Sequence, residues 1–137
     1  MRAVCIRTLI PHSETNHHSQ DSTDTYDTKL VKGKTYVLYG LWISKGLLFY
    51  LIHEFEDIYY PLLMPAGCFS EPTGTMPYNW VMAHFPDDKL IIISSPIFRK
   101  NSSIYSEILE VEANDPLAQE WQHFRNYVDS FEIIQSG

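Results

Sequence analysis

The hydrophobic pattern is densest over residues 34–69, where three apolar, aromatic-rich runs are separated by short polar breaks. Residues 34–43 (KTYVLYGLWI) hold the β-branched and aromatic side chains that suit a pleated surface. Ser44-Lys45-Gly46 offers a turn, with Gly46 free to take positive φ. Residues 47–55 run back, Glu56-Asp57 breaks the pattern again, and residues 58–64 form a third run. The spacing predicts an antiparallel meander. Pro61 has no N–H to donate, which places the third strand at an edge or a bulge.

Both faces of the first two strands are apolar. One carries Tyr36, Leu38 and Trp42, the other Val37, Tyr39, Leu41 and Ile43. An antiparallel sheet with one wet face alternates more cleanly. The sheet is therefore expected to curl into a small barrel or to be covered by another element. Gly40, in mid-strand, fits a sharp bend at a barrel corner. The preferred reading is a tightly bent barrel of short strands.

Around this centre, residues 2–10 read as a strand ended by Pro11. Residues 12–28 are polar apart from Tyr26 and predict a long loop, mobile or inserted for function. Residues 70–78, with Pro72, Gly74 and Pro77, read as a loop. Residues 79–85 (NWVMAHF) read as a fourth barrel strand, and residues 90–94 (LIIIS) as a buried strand. Residues 104–111 predict a short helix with Ser103 as N-cap. The clearest helix spans 115–131: Asp115 caps it, Pro116 takes its first position, and Leu117, Trp121, Phe124, Val128 and Phe131 form one stripe at the 3.6 period. That stripe is expected to lie on the surplus apolar face of the sheet. The predicted fold class is mainly β with an added helix, one domain over 1–137, with a barrel core over 2–94.

Composition narrows the functional classes. At 137 residues, with 45% hydrophobic and 14% aromatic residues, the chain can bury a core without metals or disulfides. No run reaches the ~18 apolar residues of a membrane span, and the first residues lack the apolar region of a signal peptide, so the cytoplasm is the expected location. The two cysteines, Cys5 and Cys68, read as reduced, buried thiols. Net charge is −7, and basic residues cluster only at Lys29, Lys32 and Lys34 and at Arg99-Lys100. A phosphate backbone needs lysine and arginine, so nucleic acid is disfavoured; an acidic surface suits a basic protein partner, or simply keeps the chain soluble.

Catalytic and metal motifs are sparse. His12, His17 and His18 share the polar loop with Asp21, Asp24 and Asp27, ligand types that zinc accepts, but no apolar residue anchors them into a rigid site. Cys68 could pair with His53 or His84 as an activated nucleophile; a buried thiol is the plainer reading. Neither a nucleophile elbow nor a phosphate loop is present. No cofactor is expected. The aromatic residues are too many for the interior of a small barrel, and Tyr59, Tyr60, Tyr78 and Trp80 flank proline-bearing loops, where such rings can line a peptide groove.

Several positions resemble the small bacterial SH3-like barrel domains. Leu30, Gly33, Lys34, Tyr36 and Leu38 match their Leu-x-x-Gly-Lys-x-Tyr-x-Val entry, Tyr50 and Ile52 a Tyr-x-Ile strand, and Tyr60-Pro61 a closing Tyr-Pro-x-x-x-Phe, stretched here to Phe69. The match covers roughly residues 2–85 and leaves out residues 90–131. Small acidic proteins of this general type look like immunity proteins, which occlude the active site of a toxin. The expectation is thus a non-enzymatic binding protein acting on a basic toxin domain. Its expected contacts are Glu54, Glu56, Asp57, Asp87 and Asp88, with Tyr59, Tyr60 and Trp80 as aromatic anchors. The alternatives are a nucleic-acid- or peptide-binding barrel and a small metal-dependent enzyme.

Overall fold

A computed structural model describes residues 1–11, 25–53 and 58–136. The fold is mainly β, with antiparallel sheets and two helices. The strands are β1 (Arg2–Val4), β2 (Leu9–Pro11), β3 (Thr25–Asp27), β4 (Thr35–Val37), β5 (Gly40–Ser44), β6 (Leu47–Ile52), β7 (Leu62–Pro65), β8 (Val81–Phe85) and β9 (Leu90–Ser94). The helices are α1 (Ile104–Glu110) and α2 (Pro116–Ser136).

The run from Thr35 to Ser44 serves two structures in succession. Its first half, β4, pairs with β1; its second half, β5, pairs with β6 on one side and β9 on the other. β6 pairs in turn with β7. The chain beyond β7 returns to β1 through bridges at Cys5–Phe69 and Arg2–Thr73. Pairing therefore closes a short ring, and its interior is one apolar cluster. Leu30, Tyr36, Leu38, Tyr50, Ile52 and Phe69, which carry the SH3-like resemblance, all lie in that cluster. Gly33, with φ +89°, donates its N–H to the Cys5 carbonyl at 2.8 Å.

The other half is a five-stranded sheet in the order β7-β6-β5-β9-β8. One face packs on the helices: Trp42, Phe49, Leu51 and Ile92 meet Trp121, Val128, Ile108 and Phe98. Trp121 is wholly buried, edge-on to Tyr39 at 5.9 Å and close to Phe98 at 5.8 Å. Asp115 caps α2, its Oδ1 accepting the Leu117 N–H at 2.9 Å. At the far end of α2, buried Glu132 accepts from Arg2 Nε at 2.9 Å and from the amine of Met1. These contacts tie the helix to β1.

Several boundaries differ from the sequence reading. Residues 79–85 were expected to complete the barrel, but β8 pairs only with β9 and ends the sheet. Residues 2–10 form two strands, not one. The polar loop closes early, because β3 pairs with β2 and Thr28 donates its N–H and hydroxyl to the Thr8 carbonyl at 3.0 and 2.9 Å. Residues 12–24, with His12, His17, His18, Asp21 and Asp24, lie outside the described residues. Ser103 holds the N-cap position of α1, but its hydroxyl bonds Asn101 Oδ1 at 2.8 Å instead of the helix. α2 runs past Phe131 to Ser136, and its buried stripe gains Ala118.

Gly40 sits where ring gives way to sheet. A Cβ there would lie 2.7 Å from Ser94 Oγ and 2.8 Å from Ser94 Cβ. Its need for glycine is thus the close approach of β9, which brings Ser94 Oγ within 2.6 Å of the Tyr39 carbonyl it donates to. Gly40→Ala is expected to destabilise the fold by roughly 1–3 kcal/mol through overpacking. Ser94→Gly in the same chain should recover part of that loss. Urea midpoints of the two single variants and the double variant check this coupling.

Candidate functional site

Strand register shows what covers the second apolar face. Residues directly opposite one another point to the same side of a sheet. One row on the side away from the helices runs Tyr50, Leu41, Ile93, Met82; the next runs Leu48, Ile43, Ile91, His84. The ring covers the β6 end of the first row, where Tyr50 is buried. Leu41 on β5 still packs against the ring cluster; beyond it the cover thins. Leu41, Ile43, Ile91 and Ile93 are half-buried, Leu48 is 40% exposed and Met82 68% exposed. Two aliphatic rows on one partly open sheet face form an apolar patch, and contiguous patches of this kind mark docking surfaces.

Charge collects at one end of this face. The β5–β6 and β8–β9 turns lie side by side, joined by the Lys45 N–H donating to the Lys89 carbonyl at 3.0 Å. Lys45, Gly46, Asp87, Asp88 and Lys89 line an open depression there. Among the described residues, the three non-glycine residues with left-handed backbone are all lysines: Lys29, Lys45 and Lys89, at φ 63°, 52° and 51°.

The expected contact residues do not form one surface. Asp87 and Asp88 are exposed at the turn end of the sheet. Trp80 precedes β8 at the opposite end; it is half-buried, and its Nε1 has no partner. Tyr59 and Tyr60 meet edge-on at 5.3 Å just before β7, and Tyr60 packs on the helix-side core. β7 and β8 are the two outer strands, so Tyr60 and Trp80 flank opposite edges of the five-stranded sheet. Glu54, Glu56 and Asp57 lie outside the described residues.

A second apolar feature borders α2. Tyr78, Tyr127, Ser130, Phe131 and Ile134 line a shallow groove of about 200 Å³, in which Tyr78 meets Phe131 edge-on at 5.3 Å. Tyr127, Phe131 and Ile134 fall at i, i+4 and i+7, a second helical stripe that was readable beside the first. The open sheet face was not readable from local pattern, because only the register places Ile91 and Ile93 beside Ile43 and Leu41.

Beneath α2 lies a buried polar cluster. His53 stacks on Trp121 with rings 4° from parallel and centroids 6.0 Å apart. The Trp121 indole N–H donates to His53 Nδ1 at 3.3 Å, and His53 Nε2 donates to the Ile58 carbonyl at 2.6 Å. Those two bonds assign a neutral ring protonated at Nε2. Burial pushes the His53 pKa below its ordinary 6.5; the Ile58 carbonyl opposes this, Arg125 adds to it, and Asp129 opposes it. The Tyr39 hydroxyl donates to Asp129 Oδ1 at 2.5 Å; burial first, then this bond and the Asp129 charge, push its pKa up. Arg125 Nε stands 3.7 Å from Asp129 Oδ2.

This cluster holds the helix down. Both His53 nitrogens are engaged, so His53 is not poised to activate Cys68, which is wholly buried in the ring cluster. His84 is exposed on the β8 edge strand. Among the described residues no three His, Cys, Asp or Glu side chains come together as a metal site. Asp27 is engaged by Lys29, whose backbone N–H and ammonium donate to it at 2.9 and 3.1 Å. No helix among the described residues is long and apolar enough to cross a membrane.

Comparison of the chain with family models, curated proteins and solved structures finds no match.

The buried His53 makes stability depend on pH. Its folded pKa is lowered, so the unfolded chain takes up the proton first; this group contributes no pH dependence well above 6.5 and destabilises progressively as pH falls from 6.5 through the lowered value. Thermal midpoints measured from about pH 8 to about pH 5 are expected to fall in that interval. His53→Gln should lower the midpoint at the alkaline end and flatten the fall.

Proposed function

We propose that this protein is a non-enzymatic, acidic binding protein whose open aliphatic sheet face docks a basic protein partner. The carrying observation is the pair of rows Leu41–Ile93–Met82 and Leu48–Ile43–Ile91, left partly open beside the exposed Asp87 and Asp88, which share their corner with Lys45 and Lys89, in a chain of net charge −7. Full burial of one large aliphatic side chain contributes up to roughly 1.5–3 kcal/mol, so a few of these residues can anchor a complex. Charge of opposite sign speeds encounter and sets orientation more than it adds affinity. The general type points to an immunity-type inhibitor, which would place a toxin domain on this face. Asp87 and Asp88 are then rim contacts, while Tyr59, Tyr60 and Trp80 lie off the face and are not its anchors.

The test is titration calorimetry against whichever basic protein co-purifies with this chain. Ile91→Thr with Ile93→Thr keeps β-branched side chains and is expected to weaken binding at least about tenfold, the loss of ~1.4 kcal/mol. Asp87→Lys with Asp88→Lys should flatten the salt dependence while leaving most of the affinity. Unchanged affinity in the isoleucine variant would remove the sheet face from the interface.

A further inference from the structure

β8 ends the strand order, and no backbone hydrogen bond from any described residue reaches its outer side. An edge strand presents a row of unpaired N–H and C=O groups, and proteins commonly blunt it with lysine, proline, a bulge or an inward-pointing charge. Val81–Phe85 (VMAHF) has none of these: it contains no proline and no Lys, Arg, Asp or Glu, and its register with β9 runs unbroken from Val81–Ser94 to Phe85–Leu90. The opposite edge is managed. β7 ends in Pro65, and the chain after it bonds to β1.

We propose that two copies of this chain associate about a twofold axis by antiparallel pairing of their β8 edges, centred on Ala83. The strand is self-complementary about that point. Met82 falls opposite the partner's His84, and Val81 opposite the partner's Phe85, on opposite faces of the joined sheet. The small Ala83 meets its own copy on the axis, where paired strands run about 5 Å apart. The row Leu41–Ile93–Met82 then continues without a break into the partner's His84, Ile91 and Ile43. The antiparallel sense sets the Asp87-Asp88 turns of the two copies more than about 20 Å apart. A parallel pairing would lay the same acids side by side.

The shared edge is narrow, five residues from each copy, so the dimer is weak and concentration-dependent. Each copy carries −7, so added salt strengthens self-association. This separates it from docking of a basic partner, which salt weakens.

Sedimentation equilibrium of the full chain, from about 10 µM to about 1 mM, is expected to show the mass rising towards two chains, further at high salt. Mixing Met82→Cys with His84→Cys under mild oxidation should give the mixed disulfide in excess of either self-disulfide, since Cys5 and Cys68 are buried. Met82→Lys with His84→Lys sets like charges opposite each other at both pairs and should leave a monomer of unchanged circular dichroism. A single-chain mass throughout the range overturns the proposal, as does a dimer that the lysine variant leaves intact.

Discussion

One constraint organises the molecule: the hairpin formed by β5 and β6 is apolar on both sides. Burial of apolar surface drives folding, and a strand that is greasy on both sides needs a cover for each. The two covers are of different kinds. On one side the chain bends its own strands into a ring around Tyr36, Tyr50 and Phe69. On the other, α1, α2 and the turn carrying Phe98 are laid across the sheet. Tyr39 and Gly40 mark the crossover, where the Tyr39 N–H donates to Leu51 and its carbonyl accepts from Ser94.

Much of this was readable in the residues. The meander, Gly46 at positive φ, the short α1 and the capped α2 follow from local chemistry: turn residues, an N-cap aspartate and a stripe at helical spacing. A small barrel with the C-terminal helix packed on the surplus sheet face is the expected fold, and the chain uses both ring and helix. What local pattern could not supply was pairing between strands distant in sequence. Residues 79–85 look like a barrel strand because they alternate well, and nothing within them says that their neighbour is β9 and not the ring.

The candidate site illustrates the same limit more sharply. Surplus aromatic residues point to Tyr59, Tyr60 and Trp80 as anchors, while many other rings fill the interior: in the helix-side core Tyr39 packs edge-to-face on Trp121 and Trp42 on Phe98. The exposed surface of interest is aliphatic. Ile91 and Ile93 sit in a run, LIIIS, that reads as wholly buried because its first four residues are all apolar. Only the ladder shows that Ile92 faces the helices while its two neighbours face out. His53 reads as an isolated histidine for a comparable reason. Its partner Trp121 is 68 residues away, on the last helix.

The three lysines in left-handed backbone bear on how far evolution has tuned this chain. A residue with a Cβ in that region is disfavoured by roughly 1–2 kcal/mol relative to right-handed backbone, and glycine escapes most of that. Gly33, Gly46 and Gly74 take the same region in their own turns, so the chain uses glycine for it elsewhere. The molecule therefore sits short of the ruggedness its architecture permits, and the slack lies in its surface corners, open to improvement without disturbing either interior.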